Sequence, residues 1–108
     1  MTSNAFNSSL RAYKEKGFFQ ELKILRGIER ESLRVDNNGK ISQKNHPKNL
    51  GSPLTNKDIT TDFAEALVEL VTPTFESPEE LFSHLNLLHR FLYSELDDEM
   101  LWNFSMPC

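Results

Sequence analysis

The chain has 108 residues, of which 38% are hydrophobic, and it carries a formal net charge of −4. This length suits one small domain with a modest core, and no apolar run approaches the roughly 20 residues that a membrane-spanning helix needs. The acidic balance argues against a nucleic-acid partner, because proteins that bind nucleic acids usually carry a basic face.

The N-terminal segment is predicted to be a short helix attached to a core. Residues 1–8 are polar and are expected to be frayed. Residues 9–16 are expected to form the helix, which ends at Gly17. Apolar side chains follow, and we expect them to fasten the segment to the core (Phe18, Phe19, Leu22 and Ile24).

Leu25–Val35 has the pattern of a β-strand. Because side chains alternate along a strand, Glu29 and Glu31 share the face that carries the aliphatic side chains, and Arg30 and Arg34 lie on the other face. Burying an unpaired carboxylate is costly, so we expect a positive group or a metal ion nearby. The alternative is that both glutamates lie on a solvated face.

A turn and a long loop follow this strand. Asp36–Gly39 ends with Asn-Gly, which is a strong signal for a tight turn. Residues 40–43 are expected to form the short return strand of a hairpin. Residues 44–58 form a polar loop interrupted by proline and glycine.

Residues 59–73 allow two interpretations. As a helix, they place Asp62, Glu65 and Glu69 on one face. As a strand, favoured by the β-branched residues and Pro73, they place Asp62 in the turn before the strand. A bend or bulge is then needed if Asp62 and Glu69 are to face one site.

Ser77, Pro78 and Glu80 predict the start of a helix, with serine as N-cap, proline as first residue and glutamate completing a capping box. The helix is expected to run to about Leu96. Its apolar stripe is a core face made of five leucines (Leu81, Leu85, Leu88, Leu92 and Leu96).

The last residues are expected to leave this helix through a turn and join a sheet. Asp97, Asp98 and Glu99 are most simply a solvated acidic turn. Residues 100–108 are expected to be an extended segment that pairs with a partner sheet.

Three segments resemble the opening of bacterial glutamate–cysteine ligase of the proteobacterial type: Gly27–Arg34, Ile59–Glu69 and Leu101–Cys108. Their order and spacing both match. The resemblance implies an α+β chain that forms part of a glutamine-synthetase-like catalytic fold, with a mainly antiparallel sheet and flanking helices.

The resemblance also implies a function. Members of this family use ATP to join L-cysteine to the γ-carboxylate of L-glutamate, with Mg²⁺ (or Mn²⁺), giving γ-glutamylcysteine in the first step of glutathione synthesis. Four carboxylates match the acidic metal-binding positions (Glu29, Glu31, Asp62 and Glu69), and Phe63 matches an aromatic residue that lines the cysteine pocket. Arg30 and Arg34 match the motif but are expected to be structural and to pair with acidic groups.

We expect residues 1–108 to be one N-terminal portion of the ligase catalytic domain, inactive without the remainder of the ligase chain and holding no catalytic residue of its own. Asn56 departs from the histidine more often found in the family. Cys108 is the only cysteine, so no internal disulfide forms, which fits the cytoplasm. The alternative function is a non-catalytic acidic α+β protein-interaction module.

Overall fold

The computed structural model describes residues 3–108 as four strands and three α-helices. A short 3₁₀ helix, Lys48–Leu50, lies in the polar loop. The helices are α1 (Ser3–Glu15), α2 (Phe18–Glu21) and α3 (Pro78–Ser94), and the strands are β1 (Glu29–Val35), β2 (Ile59–Thr61), β3 (Leu67–Val71) and β4 (Met100–Leu101). The expected α+β class with an antiparallel sheet and flanking helices is confirmed.

The four strands form one sheet in the order β2-β3-β1-β4, with every neighbouring pair antiparallel. The strand interpretation of residues 59–73 is confirmed, but the segment makes two strands instead of one. The chain reverses between β2 and β3, and Asp62 lies at the start of this connection. The connection is the predicted bend before the strand.

One face of the sheet is covered by α3 and is called the back face here. Ile59, Val68 and Leu70 project from it. They form a buried cluster with leucines of α3 and with leucines from the loop, from the residues just after α3 and from β4 (Leu50, Leu88, Leu92, Leu96 and Leu101). The predicted core face of the helix is therefore confirmed. On the opposite side of the sheet, called the front face, Glu29 and Glu31 are exposed, whereas Val35 and Leu67 are buried.

The start of α3 is as predicted. The Ser77 hydroxyl accepts a hydrogen bond from the Glu80 amide at 3.3 Å, and Pro78 is the first helical residue. The reciprocal contact of a capping box is replaced by a bond from the Ser77 hydroxyl to the Glu79 carboxylate, 2.9 Å long. The helix ends at Ser94, two residues before the predicted end.

The N-terminal segment differs from the expectation. Residues 3–8 are helical, while residues 1 and 2 lie outside the described part of the chain. Gly17, with φ of 72°, ends α1 as predicted. The apolar side chains expected to reach the core are instead about half exposed (Phe18, Phe19, Leu22 and Ile24). The back face is already covered by α3, so Tyr13, Phe18 and Phe19 pack on one another.

The turn after β1 is confirmed, and the hairpin that it closes is shorter than expected. The Asp36 carboxylate accepts hydrogen bonds from the amides of Asn38 and Lys40, and Gly39 has φ of 75°. The expected return strand over residues 40–43 is reduced to a single bridge between Val35 and Ile41. Across residues 3–108, no helix has the length and apolarity required to cross a membrane.

Candidate metal centre

The front face of the sheet brings together carboxylates from two strands. Glu31 of β1 lies directly opposite Glu69 of β3, and Glu29 lies two residues before Glu31, opposite Val71. Opposed residues of an antiparallel pair project to the same side. The register therefore places three of the four predicted metal ligands next to one another, although they are up to 40 positions apart in the chain.

The fourth predicted ligand, Asp62, reaches the same neighbourhood through the β2–β3 connection. The pKa of Glu69 is raised, first by its partial removal from water and then by the negative charges of Glu29, Glu31 and Asp62. Strand pairing gives its position: Thr61 pairs with Val68, so Asp62, the next residue, lies beside the strand that carries Glu69. The four carboxylates are called the acidic face below.

No positive side chain of residues 3–108 forms an ion pair with the acidic face. In the part of the chain that the structure describes, the ion pairs join Lys23 to Glu76, Arg34 to Glu99 and Lys44 to Asp98, so they leave all four carboxylates out. Negative charges that lie side by side without a positive partner favour binding of a cation or a proton.

The acidic face is a partial site rather than a complete cage. Among residues 3–108, no three His, Cys, Asp or Glu side chains lie close enough together to hold a metal ion. Mg²⁺ is commonly bound through one or two carboxylates together with water and substrate phosphates. The oxygen donors of Glu31 and Glu69 fit that mode, while the role of all four residues as ligands stays a prediction.

The carboxylates of the acidic face are less buried than the sequence pattern predicts. Glu29 and Glu31 are exposed and Glu69 is half-buried, so the expected cost of burying carboxylates is largely absent. The front face continues into a pair of aliphatic residues, Leu33 opposite Leu67. The alternative of a solvated face therefore agrees with the exposure of Glu29 and Glu31. The interpretation that the carboxylates and the aliphatic side chains share one face agrees with how they are arranged on the sheet.

Phe63 follows Asp62 in the connection between β2 and β3, and 89% of its surface is exposed. No described residue encloses it in a pocket, so its role in binding a substrate stays a prediction. Its position beside Asp62 does place an aromatic side chain at the rim of the acidic face.

A groove of about 410 Å³ adjoins Glu31 and was not foreseen from the sequence. Leu33, Leu67 and Trp102 contribute to its walls, together with Phe104. The Trp102 amide donates to the Leu33 carbonyl at 2.8 Å, which holds the segment after β4 against the sheet. The groove depends on a pairing across about 70 positions, and no local pattern signals it.

The two arginines of β1 lie on the back face, as alternation predicts. Arg34 is fully buried and donates to Glu99 at 2.6 Å. Glu99 is buried too, so the interpretation of residues 97–99 as a solvated turn is wrong at that position. Arg30 contacts His89 and Asn103 instead of an acidic group. Neither arginine is therefore placed to neutralise the acidic face.

Asn56 organises the entry to β2. Its amide nitrogen donates to the Leu50 carbonyl at 2.7 Å, and its oxygen accepts from the amides of Asp58 and Ile59 at 3.0 and 3.1 Å. Asn56, which stands where the family more often has histidine, therefore has a defined structural role. Its bonds fix where the strand that leads to Asp62 begins.

Comparison with known proteins identifies one family. The family model described as "Glutamate-cysteine ligase" matches residues 9–108. A glutamate–cysteine ligase from Pseudomonas putida (strain W619) is 52% identical over 84 residues, which are 78% of this chain and 16% of that protein. A glutamate–cysteine ligase from Bordetella petrii is 55% identical over 83 residues, which are 77% of this chain and 16% of that protein.

Two solved structures resemble the chain. A crystal structure of glutamate–cysteine ligase from Francisella tularensis in complex with AMP superposes with a TM-score of 0.75 at 45% identity, covering 77% of this chain and 17% of that chain. A bifunctional glutathione synthetase from Pasteurella multocida superposes with a TM-score of 0.72 at 36% identity, covering 75% of this chain and 11% of that chain. The chain thus spans about 16% of the length of the curated relatives it matches.

Proposed function

The chain belongs to the glutamate–cysteine ligase family, and on that premise we propose that it supplies the acidic sheet of an ATP-dependent ligase. The reaction joins the amine of L-cysteine to the γ-carboxylate of L-glutamate and releases ADP and phosphate. The order of bond changes follows from this chemistry. ATP first phosphorylates the γ-carboxylate, and the cysteine amine then displaces the phosphate from the acyl phosphate.

In this proposal Glu29, Glu31, Asp62 and Glu69 hold Mg²⁺ or Mn²⁺. A bound divalent cation neutralises phosphate charge and helps to orient the transferred group. The carboxylates themselves keep a concentrated negative charge at one place on the rigid sheet. The observation that supports this role is the register of β1 and β3, which places Glu31 opposite Glu69. Neither glutamate has an ion-pair partner in the part of the chain that the structure describes.

We assign the cysteine pocket to the rim of the acidic face, where Phe63 lies. The exposed aromatic ring is free to pack on a substrate or on further ligase residues. Because the chain spans about 16% of its relatives, the proposal assigns the basic residues that contact ATP and most of both amino-acid pockets to ligase sequence outside these 108 residues. We place the reaction in the cytoplasm, where a free thiol such as that of Cys108 stays reduced.

A chimera tests this function directly. Residues 9–108 replace the matching segment of the Pseudomonas putida ligase, and ADP release is measured with glutamate, cysteine and Mg²⁺. The chimera is expected to turn over, and Glu69→Gln in the chimera is expected to lower turnover to the background of the assay. Glu15→Gln, at an exposed position of α1, is the matched control and should leave turnover unchanged. Full turnover by the Glu69→Gln chimera at saturating Mg²⁺ contradicts the proposal.

A non-catalytic interaction module is the second candidate, because Glu29 and Glu31 are exposed as they are on a solvated face. This candidate predicts no saturable Mn²⁺ binding, even when the rest of the Pseudomonas putida ligase is added in trans. It also predicts an inactive chimera. Saturable binding that Glu69→Gln removes rejects it.

A further inference from the structure

Arg34 contacts three separate segments through one guanidinium group on the back face. Nη1 donates to the Glu99 carboxylate at 2.6 Å and to the Asn45 carbonyl at 3.3 Å. Nη2 donates to the carbonyls of Lys44 and Glu65, each at 3.0 Å. The side chain has no exposed surface, so these four acceptors replace most of the water that the charge loses on folding. The buried Nε atom has no hydrogen-bond partner among residues 3–108.

The backbone of Arg34 adds two further bonds to this arrangement. Its amide donates to the Ala66 carbonyl at 2.8 Å, and its carbonyl accepts from the Ser42 amide at 2.9 Å. Both Glu65 and Ala66 belong to the connection that begins at Asp62 and leads into β3. Arg34 therefore holds the end of that connection through its side chain and its main chain.

Glu65 is held from a second direction. Its carboxylate accepts a hydrogen bond from the His46 amide at 3.0 Å. The His46 ring lies close enough to Arg34 that burial and the arginine charge together lower the pKa of His46. Glu65 is thus held through its carbonyl by Arg34 and through its carboxylate by His46. The β2–β3 connection therefore has little freedom to move relative to β1.

We propose that Arg34 is a positioning residue for the acidic face. Its bonds to Glu65 and Ala66 hold the β2–β3 connection that carries Asp62, and its bond to Glu99 holds the guanidinium in place. This inference rests on the proposed role of the acidic face as a metal site. Arg34 does not touch the metal or a substrate; it acts from behind the sheet. Lysine keeps the charge but presents its donors from one nitrogen, so it does not reproduce a fork that reaches three segments.

Mn²⁺ binding to the full 108-residue chain tests the proposal. The dissociation constant is measured by electron paramagnetic resonance for the wild type, Arg34→Lys and Arg90→Lys. Arg90 is exposed on α3, and its replacement makes the same chemical change away from the connection. We expect Arg34→Lys to weaken Mn²⁺ binding by about tenfold or more, as residues that orient metal ligands commonly do, and Arg90→Lys to leave it unchanged.

The measurement is made at a temperature where circular dichroism shows each variant to be folded, so that lost stability is not mistaken for lost binding. Unchanged affinity in folded Arg34→Lys overturns the proposal. If Arg34→Lys does not fold, Glu99→Gln decides, because it keeps one acceptor oxygen but replaces the charged partner of the Arg34 guanidinium by a neutral amide. Weaker Mn²⁺ binding by folded Glu99→Gln supports the proposal, and unchanged binding overturns it.

The same measurements separate the metal role of the acidic face from the positioning role of Arg34. A wild-type chain that binds no Mn²⁺ overturns the metal role of the acidic face and the positioning role with it. A wild-type chain that binds Mn²⁺, together with a folded Arg34→Lys that binds it equally well, overturns the positioning role alone. As a second readout, the amide chemical shift of Asp62 should change in Arg34→Lys and stay constant in Arg90→Lys.

Discussion

Glu69→Gln is expected to stabilise the metal-free chain while it removes Mn²⁺ binding. Directly opposed residues of an antiparallel pair have Cβ atoms about 4.5–5.5 Å apart, and Glu31 is the residue opposite Glu69. Two unit charges about 5 Å apart repel by about 0.8 kcal/mol at the dielectric constant of water and by about 3 kcal/mol at an effective value of 20. Because Glu31 is exposed, the lower end applies, and we expect the free energy of unfolding to rise by about 0.5–1 kcal/mol.

The assay is urea unfolding followed by the fluorescence of Trp102, the only tryptophan of the chain, with thermal unfolding as a check. The expected gain corresponds to about 2–8 °C in melting temperature, and it should shrink as salt screens the repulsion. Glu15→Gln removes the same charge from α1 and controls for the change in net charge. A Glu69→Gln chain that is no more stable than the wild type at low salt refutes the argument that these carboxylates repel each other.

Four further predictions concern the core, the cap of α3 and the charge of Glu69. Leu92→Ala should lower the free energy of unfolding by about 2–5 kcal/mol, because Leu92 is fully buried under the sheet. Leu87→Ala, at an exposed position of the same helix, should change it by about 0.5 kcal/mol or less, and equal losses in urea unfolding contradict the assigned core. Ser77→Ala should cost about 1 kcal/mol through the lost N-cap bond, as measured by thermal unfolding, whereas Ser83→Ala at an exposed helical position should cost much less. Because the pKa of Glu69 is raised, its carboxylate binds a proton more tightly in the folded chain than in the unfolded chain. The ionised carboxylate therefore lowers the stability of the folded chain at every pH above the raised pKa. This destabilisation is relieved as the pH falls toward the ordinary value of 4.5. The stability advantage of Glu69→Gln should therefore shrink in urea titrations as the pH falls from neutral toward 4.5, and an advantage independent of pH contradicts this assignment. Wild-type Mn²⁺ affinity should fall over the same range, because the carboxylates must be deprotonated to bind the metal.

The N-terminal segment shows where local patterns were insufficient. Gly17 was identified as the end of a helix from its own conformational preference, and its positive φ bears this out. The prediction that Phe18 and Phe19 reach the core was wrong, because it required knowledge of which surface remains free. Since α3 covers the back face, these rings pack beside α1 and stay half exposed.

Charged residues also show what a local pattern can and cannot predict. Alternation along β1 correctly separated Arg34 from Glu31, because the side-chain period of a strand is local. It gave no reason to bury Glu99, which is 65 positions from Arg34 in the chain. A solvated turn is the simpler interpretation of three consecutive acidic residues, and it fails only because a buried guanidinium lies behind them.

The sequence by itself determined the elements that depend on near neighbours: the strand character of β1, the turn at Gly39, the capped start of α3 and its leucine stripe. It also carried the three segments that mark the ligase family. The tertiary structure alone decided that Glu31 lies opposite Glu69, that Arg34 pairs with Glu99 and that a groove forms beside Trp102. The physical reason is that periodicity and capping act over a few residues, whereas register and burial depend on the summed packing of segments that are distant in the chain.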